Sequence, residues 1–486
     1  MKKSSALTSS IFMLSASWIA KALGLLSTII LARLLTPEDF GLVAITMLVV
    51  HFLDVFANTG AQQFLLSKEH IDDDDLNTAW SLNMIFRIFI TLALLILANP
   101  IANFFEADLA YAFRVSALIL IILGMKNPAL NIAKREFNYK GIFKLSLLAK
   151  FISFTVTITV AYYTRSYWAL IIGTISHYTI HTIGGYFIYP FTPKFCLKRI
   201  NEQWDFSKWI LLRSFVGYIR SKGDAFIISK FFSTSDVGIF TIAKEFAMLV
   251  YEQIATPVAE IIMTSVQKAN NNNTDISHTI EKYLLILLSL ILPIVCIISL
   301  YAEHIVVIIL GEKWLPAAPI LEVLTLLGIS TSLTMVFNST LTALKRTKLT
   351  FKIDIITTSI ILGSLLLIKG VELSDFALVR ALLDLVVLIS YFMFVKIVIG
   401  LSLRSCIKNL LPTMISVGIM AIILNYIDSI MVIDNFIVLA LISIICLLIY
   451  AVTLLISLNV FPYPGQTLLD LKITINNYVK KVFSFK

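Results

Sequence analysis

The chain has 486 residues, of which 58% are hydrophobic and 14% are charged, and its mean hydropathy is +0.89. Soluble domains contain roughly 45–50% apolar and about 25% charged residues, so this composition excludes an ordinary soluble protein and a membrane-tethered enzyme with a soluble head. We attribute the net charge of +9 to basic cytoplasmic loops rather than to nucleic-acid binding.

Apolar segments follow one another along the whole chain. A transmembrane helix needs about 20 apolar residues, and backbone in lipid must satisfy its hydrogen bonds internally, so each segment predicts a helix. The segments lie at 10–35, 40–58, 79–98, 113–130, 147–163, 167–189, 209–230, 237–262, 281–300, 317–341, 353–369, 376–396, 409–426 and 434–457. The sequence therefore predicts an all-α polytopic membrane protein with about 14 transmembrane helices.

Lysine and arginine are distributed unequally between the predicted loops. Most of the 39 lie in loops on one side, whereas the loops on the other side hold Arg165, Lys230, Lys313 and Lys369. Because basic loops stay in the cytoplasm, we expect both termini there. The acidic run at 72–75 is expected to be a solvated inner loop.

Two segments of the chain repeat each other at an offset of 197 residues. Residues 32–45 read ARLLTPEDFGLVAI and residues 229–242 read SKFFSTSDVGIFTI. The matched pairs include Arg33 with Lys230, Asp39 with Asp236, and Gly41 with Gly238. Internal repeats of this kind are typical of transporters, whose substrate sites lie where the repeats meet.

The repeat predicts a division of the chain into two halves of the same orientation. We expect an N-terminal six-helix lobe at 1–190, a cytoplasmic linker at 191–208 and a C-terminal six-helix lobe at 209–396. Residues 397–486 then form an extra helix pair, the thirteenth and fourteenth predicted spans, followed by a cytoplasmic tail.

Four motifs carry a resemblance to a known family. They are RLLTPEDFG at 33–41, DVFANTG at 54–60, REFNYK at 135–140 and the segment 224–238. In their order and spacing, the chain resembles the polysaccharide-transport family of the multidrug/oligosaccharidyl-lipid/polysaccharide flippase superfamily. The resemblance covers nearly the whole chain.

The resemblance implies a function. Family members move undecaprenyl-diphosphate-linked oligosaccharides from the inner to the outer leaflet of the bacterial cytoplasmic membrane, for O-antigen, exopolysaccharide or teichuronic acid synthesis. It implies two pseudo-symmetric lobes around a central cavity and alternating access. The expected partners are a lipid-linked oligosaccharide and membrane lipids, with polysaccharide polymerase machinery as a candidate and no nucleic acid.

Several charged residues fall inside the first three spans. A charge at mid-bilayer is costly, so by default it faces a wet cavity or a partner. Lys21 is predicted to bind a diphosphate or an acidic sugar, or else to pair with a buried carboxylate. Arg33 is predicted either to bind phosphate or to anchor the outer interface. Asp54 is a candidate for proton or sodium coupling or for a salt bridge, and Arg87 for substrate binding or for reaching the inner surface.

Span seven is the most charged. Arg213 and Arg220 lie seven residues apart on one face, and Arg binds phosphate oxygens bidentately. Together with Lys222 they are predicted to bind substrate. Asp224 lies four residues beyond Arg220, so an internal ion pair is the alternative.

Span eight carries two carboxylates on one face, Glu245 and Glu252. Three roles remain open for both. They could accept hydrogen bonds from sugar hydroxyls, neutralise the cations of span seven, or titrate as ion-coupling groups. We expect no bound cofactor and no metal site, with proton or sodium coupling as the open question.

Two other functions compete with a flippase. A cation-coupled multidrug antiporter of the same superfamily would need an acidic cavity, which the deep cations argue against. A polysaccharide polymerase or ligase would need paired carboxylates on a large outer loop, and the predicted outer loops are short. The sequence has no GxxxxGK[ST], HExxH, GxSxG or CxxC motif, so we expect a transporter and not an enzyme.

Overall fold

The computed structural model describes residues 3–58, 60–68, 70–136, 139–272, 274–368 and 370–460, and these form helices joined by short connections. In chain order the helices are α1 (Lys3–Leu34), α2 (Pro37–Ala57), α3 (Ala61–Ser67), α4 (Asp73–Phe104), α5 (Ala110–Gly124), α6 (Leu130–Arg135), α7 (Lys140–Thr164), α8 (Trp168–Ile188), α9 (Ile200–Phe231), α10 (Thr234–Asn271), α11 (Ile276–Leu300), α12 (Ala302–Ile305), α13 (Ala318–Ala343), α14 (Thr347–Leu367), α15 (Leu373–Ile399), α16 (Leu403–Ile430) and α17 (Phe436–Val460). The predicted cytoplasmic tail lies largely outside the described residues.

The described helices confirm an all-α polytopic membrane protein. Nine of them are long and apolar enough to cross a membrane, and a bent pair, Thr234–Leu249 with Gln253–Asn271, passes the same test as a tenth. Helix α9 is 32 residues long but carries eight charged side chains, which lowers its apolar content. The count of fourteen spans stays a prediction.

The helices gather into two compact units, of which the first ends at Thr241 and the second begins at Ile242. In the first unit, α7 packs on α8 and on α1, α4 packs on α5, and α2 packs on α5 and α9. In the second unit, α13 packs on α15, while α16 and α17 pack on each other and on α11. The predicted lobes and linker, with boundaries at 190, 208 and 396, stay a prediction.

One pair of charges inside the helices of the second unit neutralises itself internally. Arg380 and Asp384, four residues apart on α15, form an ion pair at 3.3 Å, as their spacing predicts. Thr331 of α13 donates a hydrogen bond to the Asp384 carboxylate at 3.2 Å. The pair therefore joins two neighbouring helices.

Equivalent helices of the two repeats begin in the same way. The Thr36 N–H donates to the Asp39 carboxylate at 2.9 Å, and the Asp39 N–H donates to the Thr36 hydroxyl at 3.2 Å. The same two bonds join Ser233 and Asp236, both at 3.2 Å. Such capping boxes satisfy amide groups that the first helical turn leaves unpaired. The repeat in the sequence is thus also a repeat in local structure.

The expectation that 72–75 is a solvated loop is wrong, because α4 begins there. Asp72 caps the helix, accepting from the Asp75 N–H at 2.7 Å, and carboxylates in the first turn are favoured by the helix dipole. The Lys198 ammonium lies 3.1 Å from Asp74, and the Arg199 guanidinium lies 3.2 Å from Asp72. The acidic turn therefore binds the basic end of the connection between α8 and α9.

Backbone hydrogen bonds hold that connection along α4. The Lys194 N–H donates to Asn77 at 2.7 Å and the Cys196 N–H to Ser81 at 2.9 Å. Beside them the Lys68 ammonium lies 2.5 Å from Asp75 and 2.9 Å from Glu202 on the first turn of α9. We call the residues Lys68, Asp72, Asp74, Asp75, Lys198, Arg199 and Glu202 the α4 charge network.

Candidate functional site

An aromatic cluster holds α9 against α2. The Phe52 ring lies 6.1 Å from Phe215, 5.9 Å from Tyr218 and 5.5 Å from Phe226, measured between ring centroids. The Tyr218 hydroxyl donates to the Leu48 carbonyl at 2.7 Å. This apolar contact fixes the rotation of α9, and hence the direction of its charged side chains.

The charged side chains of α9 that the sequence singles out differ in their exposure. Arg213, Arg220 and Lys222 have exposed side chains, whereas Asp224 is 5% exposed and accepts a hydrogen bond from the Ala225 N–H at 2.8 Å. Two exposed arginines seven residues apart present guanidinium groups on one side of the helix, which suits a diphosphate. Their contact with a substrate stays a prediction.

Asp54 and Arg87 form an ion pair between α2 and α4. The Arg87 Nη1 atom lies 2.5 Å from the Asp54 Oδ1 atom, and the two side chains are 9% and 30% exposed. Removing one partner of such a pair would leave an uncompensated charge away from water. Arg87 is therefore directed at a neighbouring helix and not at the membrane surface.

The rest of the Arg87 side chain is fixed as well. Its Nε–H donates to Asn83 at 2.9 Å, and the Asn83 amide donates to the carbonyls of Leu123 at 3.3 Å and Gly124 at 3.2 Å. A Cβ atom on Gly124 would lie only 3.1 Å from the Arg87 Cδ atom, so α5 packs closely on the arginine stem. Arg87 thus joins α2, α4 and α5.

The ion pair has further charged neighbours. His51, one turn before Asp54, lies within electrostatic range of both Asp54 and Lys222. The structure therefore pairs two of the predicted site residues, Asp54 and Arg87, and places a third, Lys222, within electrostatic range of His51 on α2. Binding of substrate by this group stays a prediction.

The other predicted residues are more widely spread. Lys21 and Arg33 are both exposed on α1, twelve residues apart, which is about 18 Å along a helix. One small anion therefore does not reach both. Glu245 is exposed on α10, and the side chain of Glu252 lies outside the described residues.

Sequence reasoning missed a group of basic residues in the first unit. It comprises Lys126 after α5, Lys134 on α6, Lys150 on α7, and His177 with His181 on α8. The two histidines stand four residues apart in a largely apolar, uncharged helix, and that spacing was the available signal.

Charges outside the spans perturb one another in the α4 charge network. A hydrogen bond from Lys68 lowers the pKa of the Glu202 carboxyl from its ordinary value of 4.5, and the carboxylates raise the pKa of Lys68. A hydrogen bond from the Asp75 backbone lowers the pKa of Asp72. Lys68, Asp72 and Glu202 are therefore charged at neutral pH.

A sequence profile of the family described as "Polysaccharide biosynthesis protein" matches residues 30–319, which is more than half of the chain. The chain belongs to this family. The matched region includes both capping boxes, the Asp54–Arg87 pair and the whole of α9.

Curated relatives agree with this assignment. The chain is 23% identical to the lipopolysaccharide biosynthesis protein WzxC of Escherichia coli over 430 residues, covering 84% of this chain and 86% of WzxC. It is 22% identical over 300 residues to the succinoglycan biosynthesis transport protein ExoT of Rhizobium meliloti. That second match covers 61% of each chain, which is less than two thirds of ExoT.

The fold also has a solved counterpart. The lipid II flippase MurJ, in an inward closed conformation, superposes with a TM-score of 0.71 at 14% identity, covering 91% of this chain and 98% of MurJ. At this identity the likeness establishes a shared fold. The protein is thus a member of the polysaccharide biosynthesis family with a MurJ-like helical fold.

Proposed function

We propose that the protein is a flippase that translocates undecaprenyl-diphosphate-linked oligosaccharide repeat units from the inner to the outer leaflet of a bacterial cytoplasmic membrane. The observation that carries the proposal is the family match over residues 30–319 together with the ExoT and WzxC likenesses, whose names specify transport and polysaccharide synthesis. The MurJ-like fold agrees with a lipid-linked substrate.

In this proposal the chain has fourteen spans, both termini in the cytoplasm, and two six-helix lobes followed by a helix pair. The basic inner loops support that orientation. The protein works by alternating access and catalyses no covalent step. The polysaccharide polymerase machinery is a candidate partner downstream.

The diphosphate binds exposed cations in this mechanism. Arg213 and Arg220 lie on one side of α9, where paired guanidinium groups match phosphate oxygens. Lys21, Arg33 and Lys222 add positive charge along the path. The sugars follow through water, while the prenyl chain stays in lipid because transferring its apolar surface into water is unfavourable.

A proton or sodium gradient resets the cycle. The candidate coupling groups are the carboxylates Asp54, Asp224, Glu245 and Glu252. Asp54 is the best supported, because Arg87 pairs with it and His51 lies within electrostatic range of it. Protonation of Asp54 would release Arg87, which is the kind of charge change that a coupling step requires.

Reconstitution tests the proposal. The purified chain is placed in liposomes that carry a fluorescent undecaprenyl-diphosphate oligosaccharide, and an impermeant quencher reports the outer leaflet. A flippase makes the inner-leaflet pool accessible, and the Arg220→Ala variant slows this exchange. The exchange is measured with an imposed proton or sodium gradient of either sign. If it is never faster than in protein-free liposomes, the proposal is overturned.

A further inference from the structure

Six basic side chains lie at one end of the second unit, where three helices begin or end. Helix α14 begins there, α15 ends there, and α16 begins after a short connection from α15. In the orientation proposed above, this is the cytoplasmic end. We call these six residues, whose side chains are all exposed, the basic rim: Arg346, Lys348, Lys352, Lys396, Arg404 and Lys408.

One apolar core holds these helix ends together. It contains Ile353 of α14, Val395 of α15 and Leu401 of the connection to α16, all of them buried. The Cys406 side chain of α16 packs against the same core. The basic rim is therefore part of a fixed surface and does not lie on separate loops.

Two carboxylates next to the basic rim are held by neutral partners. Glu281 of α11 accepts hydrogen bonds from Ser405 at 2.8 Å and from Asn409 at 2.9 Å, both on α16. Asp354 of α14 accepts from the Tyr391 hydroxyl at 2.7 Å. Among the described residues, no carboxylate lies within 4.0 Å of an ammonium or guanidinium group of the rim. The rim thus presents positive charge that its own surroundings do not pair.

The helices of the basic rim expose large apolar side chains directly beside the cations. The exposed apolar residues that adjoin a rim residue in the sequence are Phe351, Ile397, Leu403 and Ile407. Such side chains on a membrane-spanning helix contact acyl chains. A phospholipid matches this combination, because it joins a charged headgroup to apolar chains. An acidic soluble protein would cover the cations but not the apolar side chains.

The depth of the cations agrees with a headgroup as partner. Lys352 and Lys408 each lie five residues beyond the first residue of their helix, or about 7.5 Å along the axis. A lysine side chain at that depth extends along apolar surface and brings its ammonium group to the membrane interface. These ammonium groups therefore meet lipid phosphate from the lipid-facing side of the helices.

The corresponding helices of the first unit carry a smaller basic group. Helix α7 begins with Lys140 and Lys144, which are four residues apart and exposed, as Lys348 and Lys352 are on α14. However, α7 packs on α8, which has no basic residue in its last turn, whereas α14 packs on α15, whose last turn carries Lys396. The positive-inside rule accounts for a basic helix end, but not for a group that three neighbouring helices share.

We propose that the basic rim binds the headgroup of an anionic phospholipid of the cytoplasmic leaflet, whose acyl chains lie against the exposed side chains of α14, α15 and α16. This phospholipid is a second lipid partner, beside the transported one, and its site depends on the proposed function only through the orientation of the chain. Clusters of Lys and Arg beside membrane helices attract anionic lipids, and each cation adds about fivefold in affinity.

Lipid binding by the full-length protein tests the proposal. The purified protein in detergent is titrated with phosphatidylglycerol, which is anionic, or with zwitterionic phosphatidylcholine of the same acyl chains. Native mass spectrometry counts the bound lipid. Wild-type protein is expected to bind phosphatidylglycerol at least about tenfold more tightly, since two cations within reach of one headgroup suffice. Equal affinities for the two lipids overturn the proposal.

Variants locate the preference. Lys348→Gln/Lys352→Gln is expected to lose most of it and Lys348→Arg/Lys352→Arg to retain it, while Lys396→Gln weakens it from a different helix. Lys140→Gln/Lys144→Gln is the matched control, because it removes the same charge at the same spacing from the beginning of α7. This control is expected to keep the preference. An equal loss in both glutamine pairs, or no loss in the rim variants, rejects a site at the rim.

Competition separates the phospholipid from the transported lipid. Undecaprenyl diphosphate at a concentration equal to that of phosphatidylglycerol is expected to leave the phospholipid bound. Displacement would make the rim an entry point for the transported lipid and overturn the phospholipid assignment. Failure of the proposed function is distinguishable: a rim-dependent preference without lipid exchange in liposomes rejects the flippase alone, whereas exchange without that preference rejects the phospholipid site alone.

Discussion

Gly41 and Gly238 make a reciprocal contact between the first turns of α2 and α10. A Cβ atom on Gly41 would overlap the Thr234 carbonyl oxygen, and a Cβ atom on Gly238 would overlap the Pro37 carbonyl oxygen. All four residues obey the offset of 197 that relates the repeats in the sequence. The two helix starts therefore touch around a local pseudo-twofold axis, and both positions need glycine for the close approach of the backbones.

Gly238→Ala is expected to destabilise the protein. The added methyl group meets backbone, which yields less easily than a side chain, and overpacking of this kind costs about 1–3 kcal/mol. The measurement is the free energy of unfolding in detergent.

Gly217→Ala is the matched control for that substitution. Gly217 lies within helix α9 and its Cβ would meet nothing within 4 Å, so alanine there is expected to be neutral or to stabilise by up to about 1 kcal/mol. Equal effects of the two substitutions would contradict a special role for the Gly41–Gly238 contact.

The sequence predicted this repeat but not its meaning in three dimensions. The matched letters at 32–45 and 229–242 revealed two equivalent segments, and the Thr36 and Ser233 capping boxes follow from local chemistry. That the two segments touch depends on packing between helices nearly 200 residues apart, and a single sequence carries no signal for that contact. The beginning of α4 at Asp73 was mispredicted for a different reason. The run of four aspartates was interpreted as a solvated loop, although Asp72 is also a favourable N-cap residue.

Asp54→Asn is expected to lower stability as well as transport. It leaves the nearly buried Arg87 guanidinium without its counterion, and breaking a buried ion pair costs about 3–5 kcal/mol. Because Asp54 is 30% exposed, we expect a smaller loss of about 2 kcal/mol. The double variant Asp54→Asn/Arg87→Gln is expected to recover part of it, measured as a double-mutant cycle. Additive losses would contradict a direct interaction.

Stability is expected to depend on pH through the α4 charge network. Lys68 lowers the pKa of Glu202, so the stabilisation is complete above the ordinary value of 4.5 and is lost as the pH falls through the lowered pKa. The apparent Tm should therefore decrease below about pH 4.5, and Lys68→Gln should flatten this decrease. A Tm profile of Lys68→Gln parallel to that of wild-type protein would count against the network.

Arg220→Ala and Lys21→Ala are each expected to abolish polysaccharide export while the protein remains in the membrane. Each removes a cation proposed to meet the lipid-linked substrate, and a lost charged hydrogen bond weakens binding by about tenfold or more. Export is compared at equal protein level with Lys268→Ala, which alters an exposed lysine near the end of α10. Wild-type export by both variants would reject the cationic path.

The candidate site was partly predictable. Lys21, Asp54 and Arg220 were selected because charges inside apolar segments are conspicuous, and this reasoning needs no structure. The partnership of Asp54 with Arg87 was not predictable, since several cations were equally plausible partners before the packing of α2 on α4 was known. The approach of Lys126 and Lys150 to the α8 histidines was not predictable either, because it depends on tertiary structure.

The most direct test of the central claim is the location of lipid-linked sugar in a strain that lacks this protein. Undecaprenyl-linked oligosaccharide is probed in oriented membrane vesicles with an impermeant glycosidase. The flippase account predicts complete repeat units that accumulate on the inner face and are digested only in inside-out vesicles. Normal exposure on the outer face would contradict the account and favour a multidrug antiporter instead.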